Sequence, residues 1–358
     1  MLVQPVRPDG NAPLGRPEPT AQEQAAVMTP PPERMRAIVV ASLGGPEVLR
    51  VREVHRPSAG PGETLIQVDR AGVNFADVSR RRRGWENPPQ RLPVIPGFEV
   101  VGRRVSDGAR VLGLTPRGSG GYAEYAVMPD HLTIPIPDGV SDTTALGAAV
   151  QGATAWGALL SGARLKPGDS VAVMAAAGGL GSLAVQLARL HGASRVIAVA
   201  STEEKRRLAL DLGADAAVDG RPESLARDIR AANQGVGVSV LLESVGGLVT
   251  EAALDALAYD GRMVVFGQAS GASNTVSLDL LMDRSIGVIG YWVTPFIRDG
   301  DGGRAAISAI LQWIAEGLLR VLEGPSFPIG QASAAHAAIE ARATFGKVSL
   351  SVDPMSWD

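Results

Sequence analysis

The chain has 358 residues, 34 Lys and Arg against 37 Asp and Glu, a net charge of −3 and 45% hydrophobic residues. That length implies two domains, and the near-balanced charge implies no broad basic surface for nucleic acid. No cysteine is present, which excludes disulfides, thiolate catalysis and cysteine-ligated zinc and is compatible with a reducing cytoplasm.

Residues 1–34 carry several prolines and acids and no apolar signal-peptide core, so they read as a disordered Pro-rich tail. Met35 opens the first strand-like run, Arg36-Ala37-Ile38-Val39-Val40. From there to about Thr133 the chain is predicted to be mainly β and irregular. Gly and Pro turns are frequent, among them Gly44-Gly45-Pro46, Gly60-Pro61-Gly62 and Gly118-Ser119-Gly120-Gly121. Gly62 to Val68 alternates like a half-buried strand. The four cations Arg80 to Arg83 read as a solvated surface turn, or as a contact to an anionic substrate such as an acyl-CoA.

The texture changes from about residue 142. Ser170-Val171-Ala172-Val173-Met174 is a buried strand, followed by Ala175-Ala176-Ala177-Gly178-Gly179-Leu180-Gly181 and an apolar helix. Strand, glycine turn and helix is the context of a dinucleotide-binding turn. Glycines let the backbone approach a pyrophosphate, and the free N–H groups of the helix start hold the anion. The motif departs from G-x-G-x-x-G, because Ala176 stands at its first glycine, and a ligand-free strand–helix turn is the alternative. Arg195 to Ala200 is the second strand, and Glu203 to Asp211 a helix that stops at Leu212-Gly213-Ala214-Asp215. Ala217-Val218-Asp219 is a third strand. Val238 to Leu242 and Gly261 to Gly267 add two more buried strands, and Ser285 to Gly290 is the last strand of this region. Alternating strands and helices imply parallel βαβ units. The apolar stretch Val171 to Leu190 is broken by glycines, Gln186 and Arg189, so it is a buried strand and helix and not a membrane span. Ser333 to Arg342 is an alanine-rich helix, and Phe345 to Val352 a final turn and strand.

The end of the second strand bears on cofactor choice. NAD-binding folds place an acid about 20 residues after the glycines, on the ribose hydroxyls. Here Ala200, Ser201 and Thr202 stand there, followed by Lys205 and Arg206. A small residue, hydroxyls and a cation suit a 2′-phosphate, so NADPH is expected over NADH, with Glu203 and Glu204 opposing. Lys205 is otherwise an ordinary solvated helix charge.

These segments together resemble the medium-chain dehydrogenase/reductase superfamily, and within it the zinc-independent quinone oxidoreductases, the zeta-crystallin-like group. The resemblance spans about Met35 to Val352. It rests on Ala71-Gly72-Val73-Asn74-Phe75-Ala76-Asp77, Pro96-Gly97-Phe98-Glu99-Val100-Val101-Gly102 and Gln151-Gly152-Ala153-Thr154-Ala155. The glycine turn with Gln186, Glu243-Ser244-Val245-Gly246-Gly247, and His336 through Lys347 complete it. It implies an α/β fold: a Rossmann doubly wound parallel sheet over 156–324 and a β-rich GroES-like substrate domain over 35–155, completed by 325–358.

The resemblance also implies roles. Gly178, Gly179, Leu180 and Gly181 would hold the pyrophosphate, and Ser201 and Lys205 the 2′-phosphate. Arg342 would reach the same phosphate, or face solvent. Ser244, Phe266 and Gln268 would line the adenosine and nicotinamide. Thr154 would lie near the nicotinamide. Asn74 would stand where cofactor meets acceptor, its amide donating to a developing oxyanion, unless it only forms a turn. Lys347 would belong to the cofactor site or cap a helix end. Trp85 and Tyr291 fall in the substrate cleft. Zinc-dependent members place a cysteine at Asn74 and a histidine at Phe98, so no zinc is expected. His55, His131, His191 and His336 are scattered and read as surface or core histidines. Two departures are Gly220, where NADPH-dependent relatives commonly carry a tyrosine, and Trp85 in a segment where a tyrosine is common.

Without zinc or a Tyr-x-x-x-Lys pair to stabilise an alkoxide, the expected reaction is hydride transfer from NADPH to a small-molecule quinone or activated enone. An enoyl-thioester reductase and a non-enzymatic NADPH-binding protein are the alternatives. No nucleic-acid or membrane partner is expected, and a cytoplasmic homodimer is.

Overall fold

Short buried apolar runs build the centre of the molecule. The computed structural model describes residues 32–84, 91–115, 118–272, 274–298 and 301–357. An antiparallel hairpin, β1 (Arg34–Val40) and β2 (Leu49–His55), comes first. It is followed by β3 (Glu63–Val73), helix α1 (Phe75–Arg83), β4 (Glu99–Arg104), β5 (Arg110–Leu114), β6 (Tyr125–Pro129) and β7 (Thr133–Pro135). A broken helix follows: α2 (Asp142–Gly147) and α3 (Ala153–Gly157), each continued by a wide π-type turn. Ser141 Oγ caps α2 by accepting from Thr144 N–H at 3.1 Å, a standard N-cap.

The alternating region contributes β8 (Ser170–Val173), α4 (Gly179–Leu190), β9 (Arg195–Val199), α5 (Glu203–Asp211), β10 (Ala216–Val218), α6 (Pro222–Ala232), β11 (Val238–Glu243), α7 (Leu248–Leu254) and β12 (Leu257–Val265). It ends with α8 (Leu278–Arg284), β13 (Gly287–Gly290), α9 (Val293–Arg298) and α10 (Asp301–Ala315). The last elements are β14 (Glu323–Pro328), α11 (Ala332–Glu340) and β15 (Lys347–Ser351).

Two main sheets result. One is six-stranded and parallel, in the order β10-β9-β8-β11-β12-β13, the doubly wound order of a dinucleotide-binding fold. β8 is buried along its whole length, as a strand covered on both faces must be, so it reads as a continuous apolar run. The other sheet runs β14-β15-β3-β4-β5-β7 with β6 paired to β3. Its C-terminal strands β14 and β15 return to the N-terminal half, where β15 pairs with β3. One core cluster, including Leu112, Leu146, Leu159, Val171, Leu183 and Ile310, spans from this sheet through the broken helix to the parallel sheet.

The order of the parallel sheet reverses between β8 and β11. Ligands of such sheets bind beyond the strand C-termini at that point, which is where the glycine turn and the Ser244–Gly247 turn lie.

Arg80 to Arg83 are not a solvated surface turn. They are the last turn of α1, and Arg81, with its side chain only 1% exposed, pairs with Glu340 on α11. Asp77 supports this helix start by accepting from the Asn74 N–H at 2.9 Å.

Candidate active site

The glycine turn leaves β8 and enters α4 through Gly178, whose extended backbone (φ −73°, ψ 167°) makes it the N-cap. Its N–H closes the turn on Ala175 O at 2.8 Å. Gly181 lies so close to the turn that a Cβ there would meet Ala176 Cα at 2.8 Å and collide with the Ala175 backbone. The first N–H groups of a helix have no intrahelical partner, so Gly179, Leu180 and Gly181 offer donors and positive dipole at this point. The turn is also tied to the chain end: Gly346 pairs with Gly178 as a parallel bridge, its N–H donating to Ala177 O at 3.0 Å.

Beyond β9, Ser201 is exposed and Thr202 caps α5, accepting from the Lys205 N–H at 3.2 Å. Lys205 Nζ donates to the backbone carbonyl of Arg342 at 2.9 Å. Arg342 follows α11 in the left-handed backbone region (φ 56°). Lys205 and the Arg342 backbone, 137 residues apart in sequence, thus meet past the end of the second parallel strand. Arg206 instead donates to Ala200 O at 2.9 Å and approaches Asp219 at 3.7 Å.

At the other side of the sheet's reversal, Glu243 is fully buried. Its carboxylate accepts from the N–H groups of Val245 and of Gly246, the latter at 2.8 Å. Burial raises its pKa above the ordinary carboxylate range, against those donors. The acid thereby shapes the turn that carries Ser244, whose carbonyl accepts from Ala269 N–H at 2.9 Å. Phe266 sits at the end of β12, its N–H bonded to Glu243 O at 3.0 Å. Gln268 Nε2 donates to Ala272 O.

The centre of the site is a buried polar cluster. Asn74 is 5% exposed, and Glu99 and Lys347 are fully buried. Asn74 Nδ2 donates to Glu99 Oε1 at 2.9 Å. Lys347 Nζ donates to Asn74 Oδ1 at 3.1 Å and forms an ion pair with Glu99. Glu99 Oε2 accepts from the Val150 N–H at 2.7 Å. That N–H is freed by a kink, since Ala149 departs from helical geometry with ψ −113°. Thr154 Oγ1 donates to Val150 O at 2.5 Å. Asn74 and Thr154 are therefore joined through Glu99 and Val150. Position 72 must be glycine for this, because a Cβ there would collide with the Glu99 carboxylate.

A second buried chain runs behind α1. Asp77 accepts from Gly97 N–H at 3.2 Å, and burial pushes its pKa up to about 7. Tyr122 Oη meets His336 Nε2 at 3.2 Å, both residues being fully buried. Desolvation, with Arg81 nearby, pushes His336 down to about 3.

Several sequence-based assignments change in this light. Lys347 is no helix cap; it is a strand residue buried against Glu99, a partner 248 residues away. Tyr291 turns its ring toward Gly157 and Gly162, with its hydroxyl buried and its pKa raised to about 12 by desolvation. Trp85 lies outside the described residues. Glu99 was missed, although an acid inside the apolar run Phe98-Glu99-Val100-Val101 was a visible signal for a partnered buried charge.

Asn74 and Phe98 offer an amide and a phenyl ring, and among the described residues there is no group of three or more His, Cys, Asp or Glu that could hold a metal ion. Among them, too, no helix is long and apolar enough to cross a membrane.

Comparison with known proteins agrees with this architecture. Residues 60–138 match the alcohol dehydrogenase GroES-like domain model, and residues 179–316 match the zinc-binding dehydrogenase model. A probable quinone oxidoreductase of Schizosaccharomyces pombe is 34% identical over 323 residues, covering 87% of this chain and 96% of that protein. A mycocerosic acid synthase-like polyketide synthase of Mycobacterium tuberculosis is 31% identical over 351 residues, 95% of this chain but 16% of the synthase. The quinone oxidoreductase of Thermus thermophilus, solved alone and with NADPH, superposes with a TM-score of 0.79 at 36% identity, covering 89% of this chain and all of that one.

Proposed function

Because the chain belongs to the quinone oxidoreductase group of the medium-chain dehydrogenase/reductase superfamily, and is thus an oxidoreductase, we propose that it reduces a quinone or activated enone with NADPH and without metal. The carrying observation is the Lys205 ammonium held against the Arg342 backbone carbonyl beyond β9, where a 2′-phosphate would lie. The NADPH complex of the Thermus relative supports the same cofactor.

When bound, the reduced nicotinamide supplies a hydride. The glycine turn and the N-terminus of α4 hold the pyrophosphate, and Ser244, Phe266 and Gln268 line the nucleotide. Thr154 commits its proton to Val150 O, so toward the nicotinamide it is an acceptor only, suited to a carboxamide N–H. As hydride reaches the acceptor carbon, negative charge grows on the conjugated oxygen. Asn74 Nδ2 has one N–H on Glu99 and a second left for that oxygen. The delocalised anion then takes a proton from water, on oxygen toward the hydroquinone or on the α-carbon to give the saturated ketone. We place the cofactor domain at 156–324 and the substrate domain at 35–155 with 325–358. We read the state as a cytoplasmic homodimer.

The polyketide synthase match favours a second reading, an enoyl-thioester reductase on the same machinery. Loss of nicotinamide absorbance with benzoquinone, phenanthrenequinone and crotonyl-CoA, each with NADPH and with NADH, separates the two. Turnover with quinones and a preference for NADPH is the expected result. Crotonyl-CoA as sole acceptor would replace the quinone reading, and no turnover with any of the three would remove both.

A further inference from the structure

We infer that Glu99 and Lys347 are a positioning pair for the hydride-transfer site: they fix which way the Asn74 amide faces and tie Asn74 to Thr154. This rests on the reading above, in which Asn74 donates to the developing oxyanion.

The two ends of an amide side chain are nearly isosteric, and only the partners decide its orientation. Here the partners leave one choice. Lys347 Nζ is donor-only and lies 3.1 Å from Asn74 Oδ1. An ionised Glu99 is acceptor-only and lies 2.9 Å from Nδ2. A flipped amide would set donor against donor and acceptor against acceptor. The pair therefore holds Nδ2 and its second N–H in one place before a substrate arrives. Preorganised donors of this kind do not have to reorient during reaction.

The same carboxylate sets the second half of the site. Its Oε2 accepts the N–H of Val150, whose carbonyl takes the Thr154 proton. One buried acid thus orients a donor amide and an acceptor hydroxyl on elements far apart in the chain. Lys347 is joined to the cofactor turn through its neighbour Gly346, which bridges Gly178. None of this requires Glu99 or Lys347 to touch the acceptor, and both are fully buried.

A merely structural ion pair predicts something different. The test is the double variant Glu99→Gln/Lys347→Met, which removes both charges and leaves no orphaned charge, measured beside Asn74→Ala. With benzoquinone as acceptor, kcat of the double variant is expected to fall about a hundredfold, the cost of a misplaced reacting group. NADPH affinity, read by quenching of intrinsic fluorescence, is expected to stay within about threefold, well under the factor of 10 that 1.4 kcal/mol represents. A folded double variant with parental kcat, while Asn74→Ala is impaired, overturns the positioning role alone. Parental kcat in Asn74→Ala overturns the underlying reading of the site. Should the double variant fail to fold, Lys347→Arg keeps the charge but moves the donors. A lowered kcat at an unchanged melting temperature supports the inference, and a parental kcat overturns it.

Discussion

Lys205 Nζ donates to the carbonyl of Arg342 at 2.9 Å, so a helix following the second parallel strand and the loop after α11 are joined at the edge of the cofactor site. Lys205→Ala is expected to raise KM for NADPH about tenfold to a hundredfold, the worth of one charge-assisted hydrogen bond, and to leave KM for NADH almost unchanged. Steady-state kinetics with both cofactors checks this. Equal effects would mean that Lys205 supports the loop and does not read the phosphate. Raising the salt concentration should narrow the NADPH advantage, since the site is exposed and screened.

The Asn74 amide yields a second expectation. Asn74→Ala removes one preorganised donor, a loss of about 10²–10³ in kcat at comparable sites, with NADPH affinity retained because no nucleotide-turn residue changes. Stopped-flow measurement of a single turnover reports the chemical step directly. A drop confined to KM for the quinone would assign Asn74 to acceptor binding in place of charge stabilisation.

How much of this was legible beforehand follows from the range of the interactions. The parallel sheet was, because each strand is a local apolar run and each connection a local helix; the helix Glu203–Asp211 agrees with its expected limits. Helix α1 was not. Its nine residues end in four arginines, and what holds it is Asp77 at its start and the Arg81–Glu340 pair across 259 residues. The partner of Lys347 was hidden for the same reason: the local sequence offers a cofactor-site residue or a helix cap until Glu99, 248 residues away, is placed beside it. The motif positions of Asn74 and Thr154 were visible, and so was a buried acid at Glu99, but not its partners, since no local pattern pairs Glu99 with Val150.

The buried ion pair on α1 is asymmetric. Arg81 is 1% exposed and Glu340 24%. Removing the acid strands a guanidinium with no solvent, whereas removing the arginine leaves a carboxylate that reaches water. Glu340→Ala is therefore expected to cost about 3–5 kcal/mol, and Arg81→Met clearly less. Denaturant unfolding of both variants, with the slopes compared to the parent, ranks them. The reverse order would show that packing of the arginine stem outweighs the charge.

Among the described residues, parallel β13 pairs with β12 on one side only, and open edges invite pairing. In the proposed homodimer the two edges meet across a two-fold axis. Val288→Lys would place a like charge near itself across that axis and is expected to shift mass measured by light scattering from dimer to monomer. An unchanged mass would move the interface elsewhere.

The second buried chain makes a prediction about pH. Burial holds His336 at about 3, below its ordinary value of about 6.5. Between these values the unfolded chain binds the proton and the native one does not, so this group makes stability rise with pH. Asp77 is raised to about 7 from 3.8, with Glu99 adding to the burial effect and Lys347 and Arg80 opposing it. Between those limits the native state holds the extra proton, so this group makes stability fall as pH rises. Near pH 5 the two slopes oppose each other, and the parent is expected to show little dependence from this region. In His336→Phe only the Asp77 slope remains. That variant is expected to lose up to about 1.4 kcal/mol per pH unit relative to the parent as pH rises from about 4.5 to about 6.5. It also carries a constant cost of about 0.5–1.5 kcal/mol for the lost Tyr122–His336 hydrogen bond, the Tyr122 hydroxyl keeping Asp77 as a partner. Urea midpoints over that range distinguish the contributions, because the hydroxyl cost shifts every point equally while the Asp77 slope does not. Parallel curves for parent and variant would mean that His336 takes up its proton in the native protein as readily as in the unfolded chain.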